Sequence, residues 1–180
     1  RFPLASVKLT EGLWGALYEK VLMGHVDFAV VLSPACSPSL SIEPLATEQL
    51  YLIGAQPAGA NSEQIDLAEL IELPLILPHS NQWTRPTLEM AAAKLGLRLN
   101  IDLEIDSTAS TTEIVANGSG YSIMPGSLRQ ARTLPALSWQ KIVNPHLEAI
   151  ISMIAPTKQP RSQLSIAAAQ IVKDIIAELY

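Results

Sequence analysis

The stretch from Leu13 to Leu32, LWGALYEKVLMGHVDFAVVL, constrains the fold more than any other. Leu13, Leu17 and Val21 recur every four residues, with Trp14, Tyr18 and Leu22 beside them, which is the apolar face of a helix. Glu19 and Lys20 fall on the other side. Gly24 ends that helix, because glycine takes the left-handed conformation without a Cβ penalty. Phe28 to Leu32 is then an unbroken apolar run. A run this short reads as a strand covered on both faces, as in parallel sheets. The unit is a helix, a tight turn and a central strand, with Asp27 expected to cap the turn.

The rest of the chain repeats this alternation. Ser6–Thr10 reads as a short strand and Ser33–Pro38 as a loop. Ile42–Leu45 is extended, and Gln49–Gly54 is a strand. Asp66–Ile71 is a short helix with Asp66 as its N-cap. Leu73–Leu77 is a buried strand closed by Pro78. A polar loop, His79 to Gln82, leads to a helix from near Pro86 to Leu95, where proline suits the first turn and Glu89 suits the positive helix start. Asn100–Asp106 alternates as a half-exposed strand. The hydroxyl-rich run Ser107–Thr112 precedes a short helix that carries Ile114 and Val115 and ends at Asn117-Gly118. Tyr121–Met124, Leu137–Val143 and Ala149–Ala155 read as strands, and Ser127–Arg132 as a helical turn. The last helix, Ser162–Tyr180, places Leu164, Ala168, Ile171, Ile175 and Leu179 on one face. Strands alternating with helices make the class α/β, with a mostly parallel sheet expected.

Composition excludes several functions. No apolar run reaches the roughly 18 residues of a membrane span. The net charge is −5, and the 12 basic residues are scattered. Duplex binding needs a basic stripe, so this chain is not expected to bind DNA unaided. Cys36 is the only cysteine, so no disulfide forms within the chain, which fits a reducing compartment. His25, His79 and His146 lack the spacing of a metal site. There is no G-x-S-x-G elbow, and Gly118-Ser119-Gly120 has too few glycines for a phosphate loop. Neither an enzyme nor a metal or cofactor is expected.

Four segments together resemble a known family. Val21, Gly24, Val26, Asp27, Ala29 and Val30 follow L-x-x-G-x-[LV]-D-x-A-[VI], with valine at the first position. Pro44-Leu45 followed by Glu48 to Ile53 is similar to a long crossing strand. Leu67-Ala68-Glu69-Leu70 to Pro74-Leu75-Ile76-Leu77-Pro78 matches L-A-x-L…P-L-I-L-P. Val115 to Pro125 looks like V-A-x-G-x-G-[YI]-x-[IL]-[LM]-P. In this order the segments resemble the regulatory domain of LysR-type transcriptional regulators, over nearly the whole chain.

The resemblance implies two Rossmann-like subdomains of the periplasmic-binding-protein type II kind, joined by two crossover strands. Subdomain I would be residues 1–51 plus 147–180, and subdomain II residues 52–146. A small-molecule effector would bind between them. It also implies a cytoplasmic protein, a homodimer through subdomain I, and a tetramer in the full regulator, with DNA bound only by a winged helix-turn-helix outside this sequence. The chain begins at Arg1-Phe2-Pro3 and reads as a fragment, with the family's first strand and helix expected upstream. A periplasmic solute-binding protein of the same fold is the rival reading.

In open α/β sheets, ligands sit beyond the carboxyl ends of the strands, and helix starts favour anions. That selects Ser80, Asn81, Gln82, Thr84 and Arg85 after one strand, and Ser107, Thr108, Ser110 and Thr111 after the next. The expected effector is an anion or carboxylate. Arg85 matches an arginine the family often carries, and its planar fork can hold a carboxylate bidentately; the competing reading is a solvated surface residue. The hydroxyls are equally suited to capping. Met124 and Pro125 end a strand at the same edge and are candidates to line the pocket or to pack. Trp14, Leu17 and Tyr18 are candidates for a dimer interface, although core packing explains them equally well.

Overall fold

A computed structural model describes residues 5–61, 63–130, 136–158 and 160–180. The elements run α1 (Trp14–Leu22), β1 (Ala29–Leu32), β2 (Leu40–Gly54), β3 (Gln64–Asp66), a 3-10 turn, β4 (Leu75–Leu77), α2 (Thr84–Lys94), β5 (Ile101–Glu104), α3 (Thr108–Ala116), β6 (Ser122–Pro125), a second 3-10 turn, β7 (Ser138–Val143), β8 (Glu148–Pro156) and α4 (Gln163–Leu179). The chain divides into two units. One holds the residues up to Thr47 and from Ile150 onward, and the other holds Glu48–Ala149. The strands β2 and β8 contribute residues to both.

In the first unit, α1 packs on a cluster of Val21, Ala29, Val31, Leu40 and Ile154, against which Trp14, Leu17, Tyr18, Val26 and Ile42 also rest. Trp14 and Tyr18 meet edge to face at 5.1 Å, and the Tyr18 hydroxyl lies 3.1 Å from Ser37 Oγ. Gly24 follows α1 with φ +70°, which its lack of a Cβ permits without strain. The turn is closed by backbone bonds, from Met23 N–H to Glu19 O, Gly24 N–H to Val21 O and His25 N–H to Lys20 O. Asp27 is exposed and makes no hydrogen bond among the described residues, so it does not cap the turn as expected.

Three further expectations for this unit are corrected. The strand β1 is not parallel and not covered on both faces. It pairs antiparallel with β8, from Ala29 opposite Ile154 to Leu32 opposite Ile151, and Val30 is 37% exposed between buried Ala29 and Val31. Residues Ser6–Thr10 belong to no strand, and Val7 and Leu9 are 74% and 95% exposed. Alternation alone therefore misled, because a strand exists only where a partner takes its hydrogen bonds. In α4 the buried positions are Ser165, Ala169 and Ile176. The face expected to be buried is instead half-buried at Leu164 and Ala168 and exposed at Ile171, Ile175 and Leu179.

In the second unit, β2 pairs antiparallel with β6, from Leu50 opposite Pro125 to Ile53 opposite Ser122, and with β7, from Tyr51 opposite Lys141 to Gly54 opposite Ser138. The strands β3 and β7 are parallel, as are β4 and β5. A parallel bridge between Leu75 and Tyr121 sets β6 beside β4. The larger sheet is mixed and the β4–β5 pair is parallel, which corrects the mostly parallel expectation. Each fully buried side chain here, such as Leu52, Ile53, Leu77, Leu88 or Ile142, contributes about 1.5–3 kcal/mol of transfer free energy. Gly120 is fixed by space: with φ +150°, its missing Cβ would lie 2.7 Å from Pro74 O, the carbonyl that accepts the Tyr121 N–H at 3.0 Å. The helical turn expected over Ser127–Arg132 is a 3-10 turn at Gly126–Gln130, and residues 131–132 lie outside the described ones.

Candidate functional site

The site candidates of the second unit gather at one sheet edge. Because β4 and β5 are parallel, with a register shift between Leu75 and Ile76 that brings Leu77 opposite Glu104, their carboxyl ends finish side by side. The Ile105 N–H donates to Leu77 O at 2.9 Å and continues the pairing past the strand. From this edge the chain turns at 78–83 into α2 and at 105–107 into α3. Two helix starts, each with orphan N–H groups and a partial positive charge, therefore stand next to one another.

Asp106 ties the two loops together. Its Oδ1 accepts the His79 N–H at 2.9 Å, and its Oδ2 accepts from Gln82 Nε2 at 3.4 Å. The His79 Nδ1 lies 3.2 Å from the same carboxylate, an ion pair whenever the imidazole is protonated. Ser107 caps α3: its Oγ accepts the Ser110 N–H at 3.3 Å, and its carbonyl accepts the Thr111 N–H at 2.9 Å. The Thr108 and Ala109 N–H groups are then the first-turn donors left over. Ser80, Asn81 and Thr108 are exposed, and their side chains make no hydrogen bond among the described residues. Ser107 is half-buried, and its hydroxyl also donates to Ser110 Oγ at 3.1 Å.

The other end of the group behaves differently. Thr84 and Arg85 are buried, at 7% and 5% exposure. Arg85 Nη1 donates to Pro78 O at 2.9 Å and to Glu104 Oε1 at 2.7 Å, and its Nε and Nη2 donate to Glu89 Oε1 at 3.2 and 3.1 Å. Burial works against its charge, but the hydrogen bonds and attraction of Glu104 and Glu89 outweigh that, so its pKa lies above the ordinary arginine value. The fork is already filled from within the chain. Arg85 is neither the solvated residue nor an open clamp; it braces α2 to the end of β4 and to β5. Glu89 serves this pairing rather than the helix start. The helix α2 begins at Thr84, two residues before the expected Pro86.

Met124 is 7% exposed and packs with Ile53, Ile76 and Val115, while Pro125 is half-buried opposite Leu50. Both end a strand at the expected edge, with the Met124 side chain turned into the core. Asp106, His79 and Glu104 were not singled out from the sequence. The available signal was Asp106 itself, an acid closing an alternating strand directly before a serine and threonine run. Among the described residues there is no group of three or more His, Cys, Asp and Glu placed to hold a metal ion. No helix among them is long and apolar enough to cross a membrane.

Comparison with known proteins gives a consistent match. The family model described as LysR substrate binding domain matches residues 1–177. The nitrogen assimilation regulatory protein nac of Klebsiella aerogenes is 30% identical over 178 residues, which cover 98% of this chain and 56% of that protein. A variant of the BenM effector binding domain superposes with a TM-score of 0.82 at 19% identity, covering 99% of this chain and 83% of that one. The effector binding domain of QuiR in complex with shikimate gives 0.77 at 17% identity, covering 93% and 79%. The chain spans a little over half the length of the nac regulators it matches.

Proposed function

The chain belongs to the LysR substrate binding domain family, and from that premise we propose that it is the small-molecule-sensing, oligomerising part of a LysR-type transcriptional regulator. The observation that carries the reading is the pair of helix starts beyond β4 and β5, tied by Asp106. The effector is a small anion or carboxylate. Its charged group meets the Thr108 and Ala109 N–H groups and the Thr108 hydroxyl, the Ser107 hydroxyl turns its proton from Ser110 Oγ to the ligand, and Ser80 and Asn81 contact it from the facing loop. Thr84 and Arg85 shape the floor from beneath, and Met124 and Pro125 back the same edge. Effector binding biases a conformational equilibrium, and DNA is bound by another part of the regulator in the cytoplasm. The curated relatives carry the names of regulators, which favours this reading over a solute-binding protein of the same fold.

A thermal-shift panel of small carboxylates, shikimate among them, and inorganic anions tests the site. A ligand at about 100 times its Kd adds about 2.7 kcal/mol, which is a rise of about 5–10 °C for a domain of this size. The combined variant Ser107→Ala, Thr108→Val is expected to weaken the selected ligand about ten-fold by calorimetry, the loss of roughly one charge-assisted hydrogen bond. Equal affinity in that variant would move the ligand elsewhere.

Self-association runs through the first unit, at α1 with Trp14, Leu17 and Tyr18. These three rest on the core cluster while staying partly exposed, and Leu13 and Met23 on the same helix region are 41% and 67% exposed. Sedimentation is expected to show a dimer that Leu13→Asp with Met23→Asp dissociates, since those changes leave the core rings in place. An unchanged oligomer in the double variant removes α1 from the interface.

A further inference from the structure

We propose that the cleft between the second half of α2 and the turn from β7 to β8, in the second unit, is a further small-molecule site, for a zwitterion with an apolar body, of the large apolar amino acid or apolar dipeptide kind. The cleft measures about 690 Å³, within the range of ordinary ligand sites, about 300–1,000 Å³. The helix α2 supplies one wall. Leu88, Ala91 and Ala92 turn its main stripe into the core. Thr87, Met90 and Lys94 form a neighbouring stripe, at the three- and four-residue spacing of one helix face. That stripe lines the cleft together with Ala91 and Leu95, and Met90 and Leu95 are left 61% and 48% exposed there.

The opposite wall is held in place by the fold. Asn144 has φ +53°, and its Nδ2 donates to Asp66 Oδ1 at 2.9 Å. Leu147 is buried, and its carbonyl accepts the Leu50 N–H at 2.8 Å and Gln49 Nε2 at 2.7 Å. Pro145 and Leu147 therefore present a fixed apolar surface to the cleft. A site whose wall is set beforehand costs little to order on binding, and the unbranched thioether of Met90 adapts to what it covers.

The rim fixes the charge of the ligand. Lys94, His146 and Glu148 all line the cleft and are exposed, and none of their side chains makes an ion pair or hydrogen bond among the described residues. A ligand with a single charge would leave either Lys94 or Glu148 unmet. A zwitterion meets both by charge-assisted hydrogen bonds: its carboxylate goes to Lys94 and the His146 ring N–H, and its ammonium goes to Glu148. Its apolar body then covers Met90, Leu95 and Pro145. A protein partner fits less well, because a standard interface takes about 800 Å² from each side and the apolar floor here is a few side chains inside a charged rim. The cleft shares no residue with the site beyond β4 and β5, which lies at the other end of α2, about 15 Å away along the helix.

Calorimetry of the 180-residue chain tests the proposal with L-phenylalanine and leucyl-phenylalanine, and with 3-phenylpropionate and phenethylamine, which each lack one of the two charges. One equivalent of at least one zwitterion is expected to bind, and each single-charge probe about ten-fold more weakly, the loss of roughly one charge-assisted hydrogen bond. Lys94→Gln and Glu148→Gln should each weaken the zwitterion about five- to ten-fold. Lys94→Gln should not weaken phenethylamine, which brings no carboxylate. Met90→Ala is expected to cost several-fold. All three positions are exposed, so the variants should stay folded, which circular dichroism checks. No stoichiometric binding of either zwitterion, equal affinity for a single-charge probe, or affinity unchanged in the three variants overturns the site. Weakening by Ser107→Ala with Thr108→Val also overturns it, by placing the ligand beyond β4 and β5. So does a dimer that Met90→Ala dissociates in sedimentation, which would make the cleft a contact between two copies.

Discussion

Replacing Arg85 by alanine is expected to destabilise the chain by about 2–3 kcal/mol, through loss of a brace rather than of a ligand contact. Removing one partner of a buried ion pair costs about 3–5 kcal/mol. Here the cost is discounted, because Glu89 and Glu104 are 48% and 46% exposed and keep much of their hydration. What remains is the Pro78 carbonyl without its donor and two carboxylates that have lost their shared cation. The melting temperature should fall by about 5–10 °C. Arg85→Lys should recover part of the loss, since one ammonium cannot reproduce the four hydrogen bonds of the fork.

The sign of the pKa shift fixes the pH behaviour. A group whose folded pKa is raised contributes stability that is present below its unfolded pKa and lost as pH rises through the folded value. For Arg85 both lie beyond the working range, so the Arg85→Ala deficit should be flat from neutral to moderately alkaline pH. Denaturant titration gives the number. A change under about 0.5 kcal/mol, the usual size for an uninvolved surface position, would sink the brace. Lost effector affinity with intact stability would restore Arg85 as the clamp.

Arg85 also marks the limit of what the residues alone disclose. Its place at a helix start was legible from Pro86 and from the polar run before it. What occupies its fork was not, because Glu104 lies 19 residues away on a strand whose alternation only said that it faces outward. The same limit appears in α4. A helix apolar around much of its circumference offers several stripes at the same period, and periodicity does not say which one a partner covers. Leu164, Ala168, Ile171, Ile175 and Leu179 form the more hydrophobic stripe, yet Ser165, Ala169 and Ile176 are the ones buried. Strand direction was hidden for a related reason. Phe28 to Leu32 reads as buried on both faces from composition, whereas β8 arrives antiparallel from 120 residues downstream and leaves Val30 in the open. The alternation of strands and helices beyond α1, the two helix starts to within a few residues and the family pattern survive because they rest on local punctuation, by glycine, proline and serine.

Gln140 gives the clearest case of a residue whose importance is wholly non-local, and Gln140→Leu is expected to cost about 3–4 kcal/mol. In the sequence it is one polar residue within an otherwise unremarked strand. In the fold it is 1% exposed. Its Oε1 accepts the Ala58 N–H at 2.6 Å, and its Nε2 donates to the carbonyls of Ala58, at 2.8 Å, and Asn61. One amide thus closes the loop between β2 and β3 across β7, the strand that lies between them. Leucine fills a similar volume but leaves three backbone groups without partners. Each costs about 1–3 kcal/mol if it stays buried, and the sum is capped because the loop can open to water instead. The two responses are separable. If the loop stays shut, the loss appears in denaturant titration with the slope unchanged. If it opens, the Ala58 amide loses hydrogen-exchange protection while the strands on either side keep theirs. Gln140→Glu tests the donor half alone: it retains an acceptor for the Ala58 N–H and sets a carboxylate against two carbonyls, so it should be no more stable than leucine. A Gln140→Leu chain within about 0.5 kcal/mol of the parent, with Ala58 still protected, would mean that the loop is held by its other contacts and that the amide only reports its position.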